Sequence, residues 1–152
     1  MDGAERLIGS WRLVSWAARA DGSDTSYPFG RHPDGSLIYT PGGWMSVQLS
    51  AEHRPAVAAR ELAEASAGDR ARAASTYFAY CGTYNVIRDV VIHEVVLCLH
   101  PAWIGTEQRR KFYFANGDLV LREGPVEVAH ESVVYELHWR CAQSKDDVGR
   151  FS

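Results

Sequence analysis

Long apolar runs are missing from this sequence: none reaches the roughly 18 uninterrupted residues that a membrane-spanning helix needs. The opening residues, MDGAERLIGSW, lack a basic flank followed by an apolar core, so no secretory leader is expected. The chain therefore reads as cytoplasmic, with no membrane partner. Cysteine is scarce. Cys81, Cys98 and Cys141 are odd in number and have no C-x-x-C spacing, which argues against a disulfide framework and a zinc site and leaves buried, inert thiols as the expectation. Basic excess is missing too: 16 Lys and Arg against 19 Asp and Glu give a formal net charge of -3, which argues against nucleic acid as a partner. There is no glycine-rich phosphate cradle, no nucleophile elbow, no internal repeat and no sign of a cofactor. With 46% hydrophobic and 23% charged residues, the chain has the ordinary balance of a soluble globular protein.

What is present is period-two alternation punctuated by turn residues. Gly9 to Trp16 reads as a first strand, followed by a turn at Asp21 to Asp24. Ser36 to Thr40 and Trp44 to Leu49 form a hairpin about Pro41-Gly42-Gly43. The alternation then stops. Pro55, a favoured first helical position, opens an Ala- and Glu-rich stretch to Ala65, and Gly68-Asp69 marks the end of that helix and the start of a second running to about Tyr80. Strands resume at Gly82 to Ile87, turn at Arg88-Asp89, and continue from Val90 to Phe114 around a loop at Pro101 to Gly105. Asn116-Gly117 is the strongest hairpin signal and leads into Asp118 to Arg122; a Gly124-Pro125 loop precedes a last strand from about Glu131 to Arg140.

About eight short strands with hairpin connections predict an all-β fold: an eight-stranded up-and-down antiparallel barrel, wide enough for one small ligand. The barrel is expected as one domain over residues 1–143, with a disordered tail over 144–152. If strands alternate in direction, the helical insertion covers the mouth that the Asp21 to Arg31 and Pro101 to Gly105 loops share. Tyr27, Phe29, Trp103, Tyr77 and Phe78 would ring that entrance.

The alternation also assigns faces. Glu107, Arg109, Lys111 and Tyr113 belong in water, which leaves Gln108 and Arg110 inward with Phe112 and Phe114. Glu94 points out, so Val91, His93, Val95 and Leu97 point in; in the last strand Val133, Tyr135, Leu137 and Trp139 form the inward face. Counting from the turns puts Tyr84 opposite His93, Arg110 opposite Val95 and one diagonal step from His93, and Phe112 and Phe114 opposite Leu121 and Leu119. Whether Met45 and Val47 or Ser46 and Gln48 face the lumen stays open, the first pair being favoured. Glu136 and His138 share an outward face without a third ligand, so no metal site is expected.

Several segments coincide with a known family: Leu7-Ile8-Gly9-Ser10-Trp11-Arg12-Leu13-Val14-Ser15, Tyr27-Pro28-Phe29-Gly30, Leu37-Ile38-Tyr39-Thr40, Gly43 to Leu49, Tyr80-Cys81-Gly82-Thr83-Tyr84 and Pro101 to Gln108. In combination the chain resembles the bacterial and fungal lipocalin-like domain of the calycin superfamily. The resemblance implies a lumen for an apolar small molecule, and similar barrels include cofactor-free cyclases and isomerases of natural-product pathways. It also implies that Trp11 plugs the closed end, with Arg140 stacked on it.

The expected site joins Arg110, His93 and Tyr84 as catalytic residues. Arg110 would fix and polarise a ligand carbonyl, enolate or carboxylate. His93, with a pKa near neutrality, would move a proton, and Tyr84 would orient it or donate to an oxyanion. Gln108, Tyr135, Phe112, Val95, Leu97, Tyr39, Trp103, Tyr77 and Phe78 are the expected ligand contacts. The reading is cofactor-free cyclisation or isomerisation of a polyketide- or terpenoid-like molecule; a carrier with the same pocket and a structural barrel with a filled lumen are the alternatives. Whether two barrels pair as a homodimer is left open.

Overall fold

The computed structural model describes residues 2–142 and 144–147 and contains eight strands: β1 (Gly9–Ala20), β2 (Asp34–Tyr39), β3 (Trp44–Ser50), β4 (Tyr77–Ile87), β5 (Val90–Cys98), β6 (Glu107–Ala115), β7 (Asp118–Val128) and β8 (Glu131–Ala142). Each pairs antiparallel with its sequence neighbour, and β8 returns to pair with β1 from Ser10 to Ala20, so the sheet is a closed up-and-down barrel. The hairpin at Asn116-Gly117 has both residues at positive φ, 53° and 87°, as the tight turn demands. It sets the expected register of Phe112 against Leu121 and Phe114 against Leu119. Inward alternation also resolves the open choice in β3: Met45, Val47 and Leu49 are buried, whereas Gln48 bonds Ser46 on the other face.

Three irregularities shift the pleat. In β1 the ladder jumps from Leu13 to Ser15, so Val14 is extra and the inward set changes from Trp11 and Leu13 to Trp16 and Ala18. In β5 the partners of Cys81 and Gly82 are Leu97 and Val95, which makes Val96 extra. Leu97 is consequently turned outward, 63% exposed, and Cys98 takes its place against the core. The expectation of Leu97 as a lumen residue is corrected on that ground. In β7 the ladder skips from Glu123 to Val126 across Gly124-Pro125, so the expected loop lies inside a longer strand.

The helical insertion is shorter than its composition suggests. Pro55 to Ala65 forms no α-helix, only a 3-10 turn at Leu62–Glu64 whose N-cap has no side-chain hydrogen bond. An uncapped Ala-rich segment without a packed face is too short to hold a helix in water. The one α-helix here, Ala67–Ser75, is capped by Ser66, which accepts from the Asp69 amide at 3.1 Å. It ends before Tyr77, so Tyr77 to Tyr80 are strand rather than helix.

The opposite end is closed by a short helix, α1 (Gly3–Leu7), capped by Asp2. Leu7 is fully buried, and its carbonyl accepts the Trp11 indole N–H at 2.8 Å. Trp11 thus sits in the closed end. Its expected partner does not: with Trp139 inward, Arg140 faces out and pairs with Asp118 at 3.0 Å, while Arg6 stacks on Phe114 at 3.8 Å. Cys141 is exposed and the other thiols half-buried, so none is a sealed core residue. Of the expected tail, Lys145–Asp147 form a 3-10 turn and residues 148–152 lie outside the described residues. Among the described residues no helix is long and apolar enough to cross a membrane.

Candidate functional site

A cavity of about 310 Å³ occupies the mouth half of the barrel, a volume at the small end of ligand pockets. Its wall is mostly hydrocarbon and aromatic, with Trp16, Leu49, Phe78, Trp103, Leu137 and Trp139 among the lining residues. Phe78, at the start of β4, and Trp103, in the β5–β6 loop, meet edge to face with centroids 5.1 Å apart. Tyr80, His93, Arg110, Glu123 and Tyr135 bring the polar atoms.

His93 is 1% exposed and held at both nitrogens: Tyr39 Oη lies 2.7 Å from Nε2 and Tyr80 Oη 2.7 Å from Nδ1. A neutral imidazole has one N–H and one lone pair, so one tyrosine donates to it and the other accepts. Donor counting assigns the tautomer. Tyr39 is 1% exposed with no second acceptor among the described residues, whereas Tyr80 lines the cavity, so the arrangement that leaves no buried O–H unbonded has Tyr39 donating to Nε2. Nδ1 then carries the proton and donates to Tyr80, whose own O–H is left for something in the cavity.

The ionisation states agree. Burial, reinforced by the Arg110 charge, pushes the His93 pKa down to about 3. Burial also raises Tyr80 to about 12, opposed by Arg110 and reinforced by Glu123, and holds Tyr39 well above the usual phenol range. The chain is therefore neutral at physiological pH, and His93 is not the near-neutral acid or base that its residue type suggested. The unfolded chain binds a proton at His93 below about pH 6.5 and the folded one does not until about pH 3. Stability from this residue is thus complete above about pH 6.5 and falls on acidification, by at most about 1.4 kcal/mol per pH unit. His93→Gln should have a flatter stability profile than the wild type between about pH 6.5 and 5, measured by urea unfolding; parallel profiles would show that His93 titrates normally.

Arg110 is also engaged. Its Nη2 lies 3.2 Å from Glu123 Oε2 and 3.5 Å from Gln108 Oε1, and Nη1 donates to the Arg109 carbonyl at 2.9 Å. Gln108 and not Arg110 stands opposite His93, because the β5–β6 register pairs Arg110 with Val91 rather than with Val95. Arg110 is still a diagonal neighbour of His93, reached from the other side.

The other expected residues divide. Phe78, Trp103 and Tyr135 line the cavity with Arg110 and His93. Tyr39, Val95 and Phe112 are buried in the core beneath its wall. Tyr84 is opposite His93 as counted, but its ring stacks on Tyr39 at 4.8 Å and its hydroxyl donates to the Thr40 carbonyl at 2.8 Å, so it does not orient the imidazole. Tyr77 turns its ring to the Arg54 guanidinium, 5.2 Å away, outside the cavity. Tyr80, Trp16, Trp139 and Glu123 were not anticipated in the site. Glu123 was legible: one further step along the hairpin that pairs Lys111 with Arg122 brings it opposite Arg110. Among the described residues no three His, Cys, Asp or Glu side chains gather as a metal centre would require.

Two more donors face no partner. The indole nitrogens of Trp16 and Trp139 are buried and have no hydrogen-bond acceptor among the described residues; other parts of both side chains line the cavity, but the nitrogens themselves are sealed from it. Such groups are costly unless something satisfies them. No curated protein matches the chain. The family model described as the lipocalin-like domain matches residues 8–142, the whole barrel from β1 to β8. With its strands, closed end and hollow mouth in agreement, the chain belongs to the lipocalin-like domain family.

Proposed function

We propose that this protein binds a small, largely apolar molecule bearing oxygen acceptors, and that binding rather than chemistry is its main role. The observation that carries this reading is an apolar cavity with a few polar groups set in its wall, the neutral Tyr80 hydroxyl and His93 among them. A guest oxygen would find the Tyr80 hydroxyl as a hydrogen-bonding partner in an otherwise apolar wall. The neutral, doubly bonded His93 and the paired Arg110 fit a preformed receptor better than an acid–base pair. Native mass spectrometry of protein purified from its own producer is expected to reveal a co-purifying molecule; an empty barrel that also takes up no apolar ketone or phenol would remove the reading.

One observation favours a second reading, cofactor-free cyclisation or isomerisation of a polyketide- or terpenoid-like substrate. Tyr80 stands in the cavity wall with His93 hydrogen-bonded behind it, so its hydroxyl could hydrogen-bond a guest oxygen on which negative charge develops, without a full proton transfer. Tyr80→Phe separates the two. A carrier should lose roughly tenfold or less in affinity, whereas an enzyme relying on Tyr80 should keep binding and lose about a hundredfold or more in turnover.

A further inference from the structure

The charges in the cavity cancel. Among the described residues, Arg110 and Glu123 are the only charged side chains in its lining, and they face each other at 3.2 Å with the arginine side chain 10% exposed and the glutamate 26%. The guanidinium's remaining contacts are to neutral oxygens, the Arg109 carbonyl and the Gln108 amide. Glu123 is held in the β7–β8 ladder. It is the last β7 residue before the ladder breaks, it sits opposite Tyr135, and an added Cβ on the following Gly124 would lie 2.6 Å from the Val133 carbonyl oxygen.

A lone arginine in an apolar barrel would be a receptor for carboxylates. Here that fork is already occupied, while the other polar groups in the cavity wall, the hydroxyls of Tyr80 and Tyr135 and the neutral His93, are uncharged. Resting on the binding reading above, we propose that Glu123 sets the charge specificity of the lumen: it fills the anion site of Arg110 from within, excludes guests bearing a carboxylate or other anion, and leaves neutral, oxygen-bearing apolar molecules such as ketones, lactones or ethers. An anionic guest must either displace the glutamate into an apolar wall or lie against it, and both are repulsive. Selection by a built-in unfavourable contact is a common source of specificity.

A matched pair of probes tests this: naphthyl methyl ketone and naphthoate, which share ring and outline and differ in charge. By titration calorimetry at about pH 7.5, where the acid is ionised, the wild-type protein is expected to bind the ketone at least about tenfold more tightly. Glu123→Gln should raise naphthoate affinity by about tenfold or more and lower the ketone-to-naphthoate affinity ratio accordingly. The double variant Arg110→Met/Glu123→Gln should lose that gain. Equal or tighter wild-type binding of naphthoate overturns the proposal, as does a folded Glu123→Gln variant that gains nothing. If the variant does not fold, the wild-type ratio of the two probes decides alone. Failure of both probes to bind wild-type protein sinks the binding reading itself and this inference with it, an outcome distinct from indiscriminate binding.

Discussion

Arg110→Met is expected to destabilise the barrel by roughly 3 kcal/mol, because it leaves the Glu123 carboxylate beside an apolar wall with no counter-charge. Methionine fills a similar volume, so cavity formation contributes little of the loss. The decisive comparison is with Arg110→Met/Glu123→Gln, in which neither partner is charged and most of the stability should return. Urea unfolding reads this as a fall and recovery of the midpoint at constant m. A single-variant loss below about 1 kcal/mol would mean that the pair is hydrated as a surface bridge is. The charge selectivity assigned to Glu123 would then lose its physical basis.

Gly82→Ala should be at least as damaging, although it adds only one methyl group. The new Cβ would lie 1.8 Å from the Glu94 carbonyl oxygen and 3.1 Å from the Val96 amide nitrogen. Both are backbone atoms of the β5 bulge, so no side-chain rotation relieves the clash and the two strands must part. A loss of roughly 3 kcal/mol or more is expected, together with greater access of thiol reagents to Cys98, which the bulge turns toward the core. An unchanged urea midpoint would show that β4 and β5 yield easily at this point.

The same bulge shows where the sequence stopped being readable. Alternation placed His93, Arg110, Phe112 and Tyr135 on the correct face, because each lies in a stretch of unbroken pleat. It failed at Leu97 because Val96 is an extra residue that inverts the faces beyond it, as Val14 does before Trp16, and a bulge built from valine has no distinctive composition. Tyr80 was lost differently. The Ala-rich stretch before it reads as helix, although Phe78, Tyr80, Gly82 and Tyr84 already step at the period of a strand. The pKa of His93 was out of reach for another reason. It depends on burial that only closure of the sheet supplies, and on the Arg110 charge that the same closure brings near.

That closure has a consequence for biosynthesis. Strand β1 is completed along one edge by β2 and along the other by β8, from Ser10 to Ala20, so during translation it waits with one row of amides and carbonyls bare until the rest of the barrel has left the ribosome. Pairing across that sequence distance is slow, and bare strand edges invite association between nascent chains. The growing polypeptide is thus most vulnerable just before its last strand emerges, which makes the interval before the seam zips shut the natural moment for a chaperone to act.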